Sequence, residues 1–534
     1  MTGPLQESRY DVVVVGGGHN GLVAAAYAAQ AGLSVVVLER LGRTGGAAIS
    51  AEMFPGVPAK ISPYAHLVGL FPEQIAKELG VDVQLRARRT SSFTPVIRSG
   101  RHTGLMIERS PGQQTADSFR ALTGSDREYD AWRSYYGRVA ELSKVVAPTM
   151  LEPLQPKKAV QALVEAATWE EMVETPIGQT IERTFADDVV RGVVATDALI
   201  GTFADLHDPG LEPNRCMLYH VLGNSSGEWR VPLGGMGALT TSLERACHRH
   251  GVEVVTKAFV TRVETNGSAA RVTFQHGGEE HHVECGWVLG NVAPWVMQIL
   301  LGDHPGPRPE GSQLQVDMVL ERLPRLRSGV SPPMAFAGTV HVAESYDQLQ
   351  QAFLEAQEGF IPEVPPGELL CHSLTDPSVL GPLAMEGKHV FTYFGVQTPA
   401  RLFSGHVDAQ RDETVLRVLD AINVYLEEPL ETLVTLDRDG NPCLTAKAPQ
   451  DVESQLAMPG GHIYHGPLSW PWAQNRASLD TPSERWGVQT ALPNVLLCGA
   501  GAIRGGAVSG IGGHNAAMAV LEAMGRPGPV TDAE

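Results

Sequence analysis

At 534 residues the chain is too long for one compact core, and about two to four domains are expected. A formal net charge of −19 argues against nucleic acid or an anionic lipid surface as the main partner. With 43% hydrophobic and 19% charged residues the composition is that of a globular protein, and no run of about 18 apolar residues offers a membrane span, which leaves peripheral membrane contact open.

The N-terminus, MTGPLQESRYD, has neither a basic n-region nor an apolar h-region, so no secretory leader is expected. The stretch from Tyr10 to Val15 is apolar and β-branched and reads as a buried strand. Gly16, Gly18 and Gly21 follow in G-x-G-x-x-G spacing. An alanine-rich helix from Leu22 to Gln30 comes next, with Gly32 placed to end it, and Ser34 to Leu38 reads as a second buried strand. Glu39 closes that strand.

Each position has a task in holding a dinucleotide. Gly16 permits the turn, Gly18 admits a pyrophosphate to the backbone, and Gly21 lets helix and strand approach. The helix start offers free N–H groups, and Glu39 can accept from a ribose hydroxyl. The acid disfavours a 2′-phosphate, which leaves NAD and FAD. Arg43, Gly45 and Gly46 follow at once, in a spacing that folds back over the pyrophosphate in flavoproteins of the glutathione-reductase type. A guanidinium such as Arg43 can grip phosphate oxygens. FAD is therefore the expected cofactor.

Between residues 86 and 229 the pattern is largely helical, as in Ala116–Leu122 and Ala159–Glu174. The segment Pro232–Gly237 precedes a helix-like run and a strand near Val252–Val255. Its glycine spacing is wrong for a second dinucleotide fingerprint, and no acid ends the strand. Residues 252–292 read as a meander with turns at Asn266-Gly267 and Gly277-Gly278. Strands such as Gln315–Leu320 and His389–Gly395 and a helix over Asp412–Tyr425 are expected further on. The tail, PNVLLCGAGAIRGGAVSGIGGHNAAMAVL, runs from an apolar strand through a glycine-rich turn into a helix starting near Ile511. Within it Gly499, Gly501, Gly505, Gly506 and Val508 are expected against the cofactor, so both chain ends build one site. The domain reading is a discontinuous FAD-binding domain (1–85, 230–302, 485–534) and a substrate domain (86–229, 303–484).

Six cysteines are scattered, none in C-x-x-C spacing. That removes a redox dithiol and a compact zinc site, and suits a reducing, cytoplasmic compartment.

These patches resemble the phytoene dehydrogenase-like flavoproteins, which include carotenoid desaturases and isomerases and the pyridine nucleotide-disulfide oxidoreductase domain-containing subgroup, the best match. The resemblance rests on the N-terminal fingerprint, Arg43–Gly46, PLGGMGALTTSLERA at 232–246, GGHIYHGPLS at 460–469 and the tail. It implies an α/β fold: an FAD-binding Rossmann domain of the glutathione-reductase/amine-oxidase type with a discontinuous α+β substrate domain. One departure stands out. Ala502-Ile503-Arg504 fills the place where the family has a threonine and a proline.

A positive charge there would suit a polar substrate, so Arg504 is expected to anchor substrate or tune the flavin. His465 lies in the family's His-x-x-His segment and is the candidate base or orienting group. No acid or third ligand accompanies His462 and His465, so no metal is expected. Tyr64 and His66 could reach the flavin's other face. His514 and Asn515 read as packing or cofactor contacts, and His248 and His250 as helix-end residues. The leading function is an FAD-dependent oxidoreductase passing a hydride from a small hydrophobic or amphipathic molecule to the flavin, with oxygen, a quinone or another acceptor downstream. A carotenoid or retinoid desaturase or isomerase, a flavin amine oxidase and a non-catalytic flavin-binding interaction protein are the alternatives.

Overall fold

The computed structural model describes residues 4–223, 228–526 and 528. The valine run forms strand Arg9–Val15, and its side chains alternate between two buried faces. Val12 and Val14 pack under helices His19–Gln30, Met236–Arg249 and Ile511–Ala523. Val13 and Val15 face the other layer, which holds Phe274, Val283 and Met297. A strand buried on both faces cannot carry polar residues, and this one has none from Val12 to Val15.

The sheet has seven strands in the order Phe259–Thr265, Ala270–His276, Glu279–Gly290, Arg9–Val15, Val35–Leu38 and Glu253–Val255, with Val495–Leu497 also paired to Glu279–Gly290. Strand Glu279–Gly290 does two jobs. Its first half is antiparallel to Ala270–His276, while its second half is parallel to both Arg9–Val15 and Val495–Leu497. That places the C-terminal strand one position from the N-terminal one. The fold is a mixed α/β architecture with a Rossmann-type dinucleotide-binding sheet.

A second seven-stranded sheet runs Leu444–Lys447, Ser312–Leu320, His389–Pro399, Gly367–Leu370, Thr339–Val342, Thr90–Arg98 and Arg101–Glu108. The last two strands correct the helical reading of residues 86–229. Ser99 and Gly100, at φ of 50° and 72°, close this hairpin through a two-residue turn. The helix expected over Ala159–Glu174 is also interrupted. Glu165 accepts from the N–H groups of Ala167 and Thr168 and so starts a new helix there. No helix among the described residues is long and apolar enough to cross a membrane.

The N- and C-terminal helices touch backbone to backbone. A Cβ on Gly513 would lie 2.0 Å from the Asn20 carbonyl oxygen. Gly513→Ala is therefore expected to force the two helices apart and cost about 1–3 kcal/mol, as overpacking does. Thermal unfolding checks this, and an unshifted midpoint would show that the contact is slack.

Candidate active site

The turn after the first strand starts at Gly16, whose φ of +99° an L side chain rarely adopts. Gly21 then packs on the Gly16 carbonyl, where a Cβ would come within 2.2 Å. Glu39 reaches across from the second strand. Its carboxylate accepts from the N–H of Gly17 and of Leu41, both at 2.7 Å, leaving further lone pairs toward the cavity it lines. Gly45 donates its N–H to the Gly17 carbonyl (2.8 Å), and Gly46 lines the same cavity.

Asn291, the residue after strand Glu279–Gly290, joins the two chain ends. Its Nδ2 donates to the Gly16 carbonyl (3.1 Å) and its backbone N–H donates to the Val15 carbonyl (2.9 Å). On its other side a Cβ on Gly499 would meet Asn291 Oδ1 at 3.1 Å. Asn20 Nδ2 donates to the Gly505 carbonyl (3.4 Å), a contact between residues 485 apart in sequence. Gly505 sits on the Gly499 carbonyl, where a Cβ would approach to 2.2 Å; Gly501 abuts Pro294 and Gly506 abuts Leu468. Residues 499–513 and 16–21 thus form one wall.

That wall opens on a cavity of about 1120 Å³. Gly16, Gly18, Glu39, Asn291, His465 and Val508 line its near side; Trp132, Tyr136 and Phe394 line its far side. The residues fit a dinucleotide pyrophosphate. Helix His19–Gln30 begins at Gly18 with no side-chain cap, and Asn20 Oδ1 and His19 Nε2 are buried with no partner. Helix Met236–Arg249 has no such opening: Ser62 Oγ and Ser50 Oγ accept from the N–H groups of Met236 and Gly237. The glycines at 232–237 serve helix packing.

Tyr64, His66 and His465 line the cavity as expected. His465 is 8% exposed, sits at φ of 65°, and its imidazole makes no hydrogen bond among the described residues. A neutral imidazole must carry one N–H, so this ring lacks an acceptor on the protein. Burial, with His462 and His19 nearby, pushes its pKa down to about 4, and burial does the same for His19 and His66. The Tyr64 hydroxyl donates to Gln455 Oε1.

Arg504 and Arg43 lie elsewhere than the sequence suggested. Arg504 is 1% exposed and absent from the cavity wall. Its Nη1 donates to the carbonyls of Thr149 (2.7 Å) and Glu152 (2.6 Å), and its Nη2 to that of Trp486 (3.1 Å). Burial lowers its pKa to about 10, which leaves it cationic at neutral pH. This guanidinium binds the tail to the helical layer and does not line the cavity. Arg43 borders a smaller neighbouring pocket of about 470 Å³ with Tyr64, Arg411 and Lys447. His514 packs edge-on against Tyr27 and bonds Asn515 Oδ1 through Nδ1 (2.9 Å). All six cysteines are free and buried.

Residues 14–72 match the family model for an NAD(P)-binding Rossmann-like domain. The chain is 44% identical to an uncharacterized protein of Mycobacterium tuberculosis, covering 96% of this chain and 97% of that one. It is 30% identical to the pyridine nucleotide-disulfide oxidoreductase domain-containing protein 2 of Rattus norvegicus, over 96% and 93% of the two chains. Cyclohexylamine oxidase from Brevibacterium oxydans shares the fold at 15% identity and a TM-score of 0.56, covering 97% of this chain and 100% of that one.

Arg504→Met is expected to take the side-chain partner from the carbonyls of Glu152 and Trp486, leave that of Thr149 with the Glu152 N–H alone, and destabilise the fold by about 1–3 kcal/mol. A marked fall in the thermal midpoint checks this, and a shift of less than a degree would contradict it. The buried histidines predict a pH dependence. Their folded pKa near 4 lies below the unfolded 6.5, so the unfolded chain binds more protons as pH falls. Stability of the flavin-free protein should decline between about pH 6.5 and 4. Replacing His19 and His465 with Gln should flatten that decline, as followed by chemical denaturation at several pH values.

Proposed function

The chain belongs to the family of the pyridine nucleotide-disulfide oxidoreductase domain-containing protein 2, and from that premise we propose that it is an FAD-dependent oxidoreductase taking a hydride from a small hydrophobic or amphipathic organic molecule. One observation carries this reading. The dinucleotide cradle and a far wall that carries Trp132, Tyr136, Val193 and Phe394 share a single cavity, so a held ring system and a substrate can meet there.

FAD would supply the hydride-accepting ring. Gly16 to Gly18 and the uncapped helix start would hold its pyrophosphate, and Glu39 the ribose hydroxyls. Phe259 and Val260 line the cavity and would flank the adenine end; Val508 and His465 would border the ring. His465 is neutral and lacks a protein partner, so it can accept a proton from the substrate or orient it by a hydrogen bond. The second sheet and the helical layer wall the far side.

Dithiol chemistry finds no residues here. Each cysteine is buried singly, and burial raises the thiols of Cys216, Cys247, Cys285 and Cys371 to about 12, far from a reactive thiolate. Reoxidation by oxygen, a quinone or another acceptor therefore fits better than disulfide exchange. The carotenoid desaturase or isomerase reading draws on the sequence patches and shares the same cradle.

Anaerobic titration of the purified protein with polyenes, amines, alcohols and acids tests the proposal. One class should bleach the oxidised-flavin band. His465→Asn should then slow bleaching by about 100-fold while leaving the bound flavin's spectrum intact. Protein that carries no flavin and takes up none when FAD is added would overturn the reading, and an unchanged rate in the variant would remove His465 from it.

A further inference from the structure

We infer that the far wall of the cavity recognises a substrate carrying one positive charge, an organic ammonium group held between Asp197 and Glu368. The inference deepens the oxidoreductase reading, since it names the substrate class, but it concerns binding and can fail or hold separately.

Three charged side chains reach this wall from three elements. Arg88 lies just before strand Thr90–Arg98, Asp197 on the short turn Thr196–Ala198, and Glu368 in strand Gly367–Leu370. Arg88 Nη1 donates to Thr339 Oγ1 (2.7 Å). No ion pair joins Arg88 to either acid, and neither carboxylate has a hydrogen-bond partner among the described residues. The surrounding charges are already matched. Glu228 is bound by Arg109 and Arg230, Arg230 also reaches Glu73 (3.9 Å), and Glu344 is bound by His341. His220, stacked on Trp229 with centroids 4.7 Å apart, is kept neutral by burial. Two acids and one guanidinium remain beside these pairs, a formal charge of −1 facing the cavity, and Glu108, which also lines it and accepts from the Thr115 N–H and hydroxyl, brings no cation.

Such a charge set is unfavourable when empty. Isolated buried charges are costly, and like charges raise one another's pKa. Burial together with Glu344 and Asp197 pushes Glu368 up to about 7, and burial raises Asp197. A ligand with a single positive charge balances the set and accepts the carboxylates as partners; a carboxylate or a second anion would not. A separate observation points to a ligand here. Ser92, paired in register with Thr339, is 7% exposed and lines the cavity, and its hydroxyl has no hydrogen-bond partner among the described residues. Trp132, Tyr136, Val193 and Val221 line the same cavity, so the body of the ligand is apolar.

Titration calorimetry on the full chain saturated with FAD, using octylamine, octanol and octanoate, tests this. The amine should bind at least tenfold tighter than the alcohol, and octanoate weakest. Asp197→Asn and Glu368→Gln should each weaken octylamine at least tenfold while leaving octanol unchanged. The unmodified protein alone decides the matter if a variant fails to fold: octanoate binding as tightly as octylamine would overturn the inference. So would an octylamine affinity untouched by both substitutions. If the flavin is bound and reduced by a neutral compound while the amine shows no preference, the charge recognition falls and the oxidoreductase reading stands. If octylamine binds with the stated preference to a protein that holds no flavin, the reverse holds.

Discussion

The site depends on Asn291. Its amide side chain fits between the Gly16 turn and Gly499, and its backbone N–H pairs with the Val15 carbonyl. A half-buried amide can join two chain ends only if both present backbone at close range. Glycines on either side make that possible, because any Cβ at Gly21 or Gly505 would strike a carbonyl oxygen at 2.2 Å. The strand that leads into Asn291, Glu279–Gly290, is itself paired with both terminal strands. Sheet topology, glycine spacing and one amide therefore act together to close the cradle.

Arg504 does a related task on the outer side. Its three hydrogen bonds to the carbonyls of Thr149, Glu152 and Trp486 hold the tail against the helical layer. It sits at φ of 70° and the nearby Ala507 at 61°, and His465, beside Gly501 of the tail, at 65°. Strained backbone persists where its surroundings over-determine it, and here three such residues cluster in the tail and the His-x-x-His segment. The strain shapes a wall that a relaxed loop would not form.

Local features of the chain were legible. The all-valine strand, the glycine spacing, Glu39 and the helix start at Ile511 follow from period, sterics and burial within short windows. Three kinds of feature were not. The hairpin Thr90–Arg98/Arg101–Glu108 carries Ser91, Ser92 and Pro95, which blur the strand pattern, although Ser99-Gly100 marked its turn. The direction of Arg504 depends on a positive φ that no composition rule assigns to arginine. Arg88 and Glu368 share one wall because Thr339–Val342 pairs with Thr90–Arg98 on one edge and Gly367–Leu370 on the other, and the helical turn Thr196–Ala198 brings Asp197 to it. Long-range strand pairing is outside the reach of local pattern. The cavity is thus readable at its glycine-turn side and unreadable at the wall opposite.

The central claim is that segments from both chain ends enclose one flavin dinucleotide. The flavin content of purified protein, measured by absorbance after denaturation, tests it most directly when wild type is compared with Gly505→Val. That substitution lies in the tail alone, against the Gly499 carbonyl. The account predicts flavin in equimolar amount in the wild type and little in the variant, with secondary structure retained. Equal flavin in both proteins would contradict it, because the N-terminal turn would then hold the cofactor without the tail.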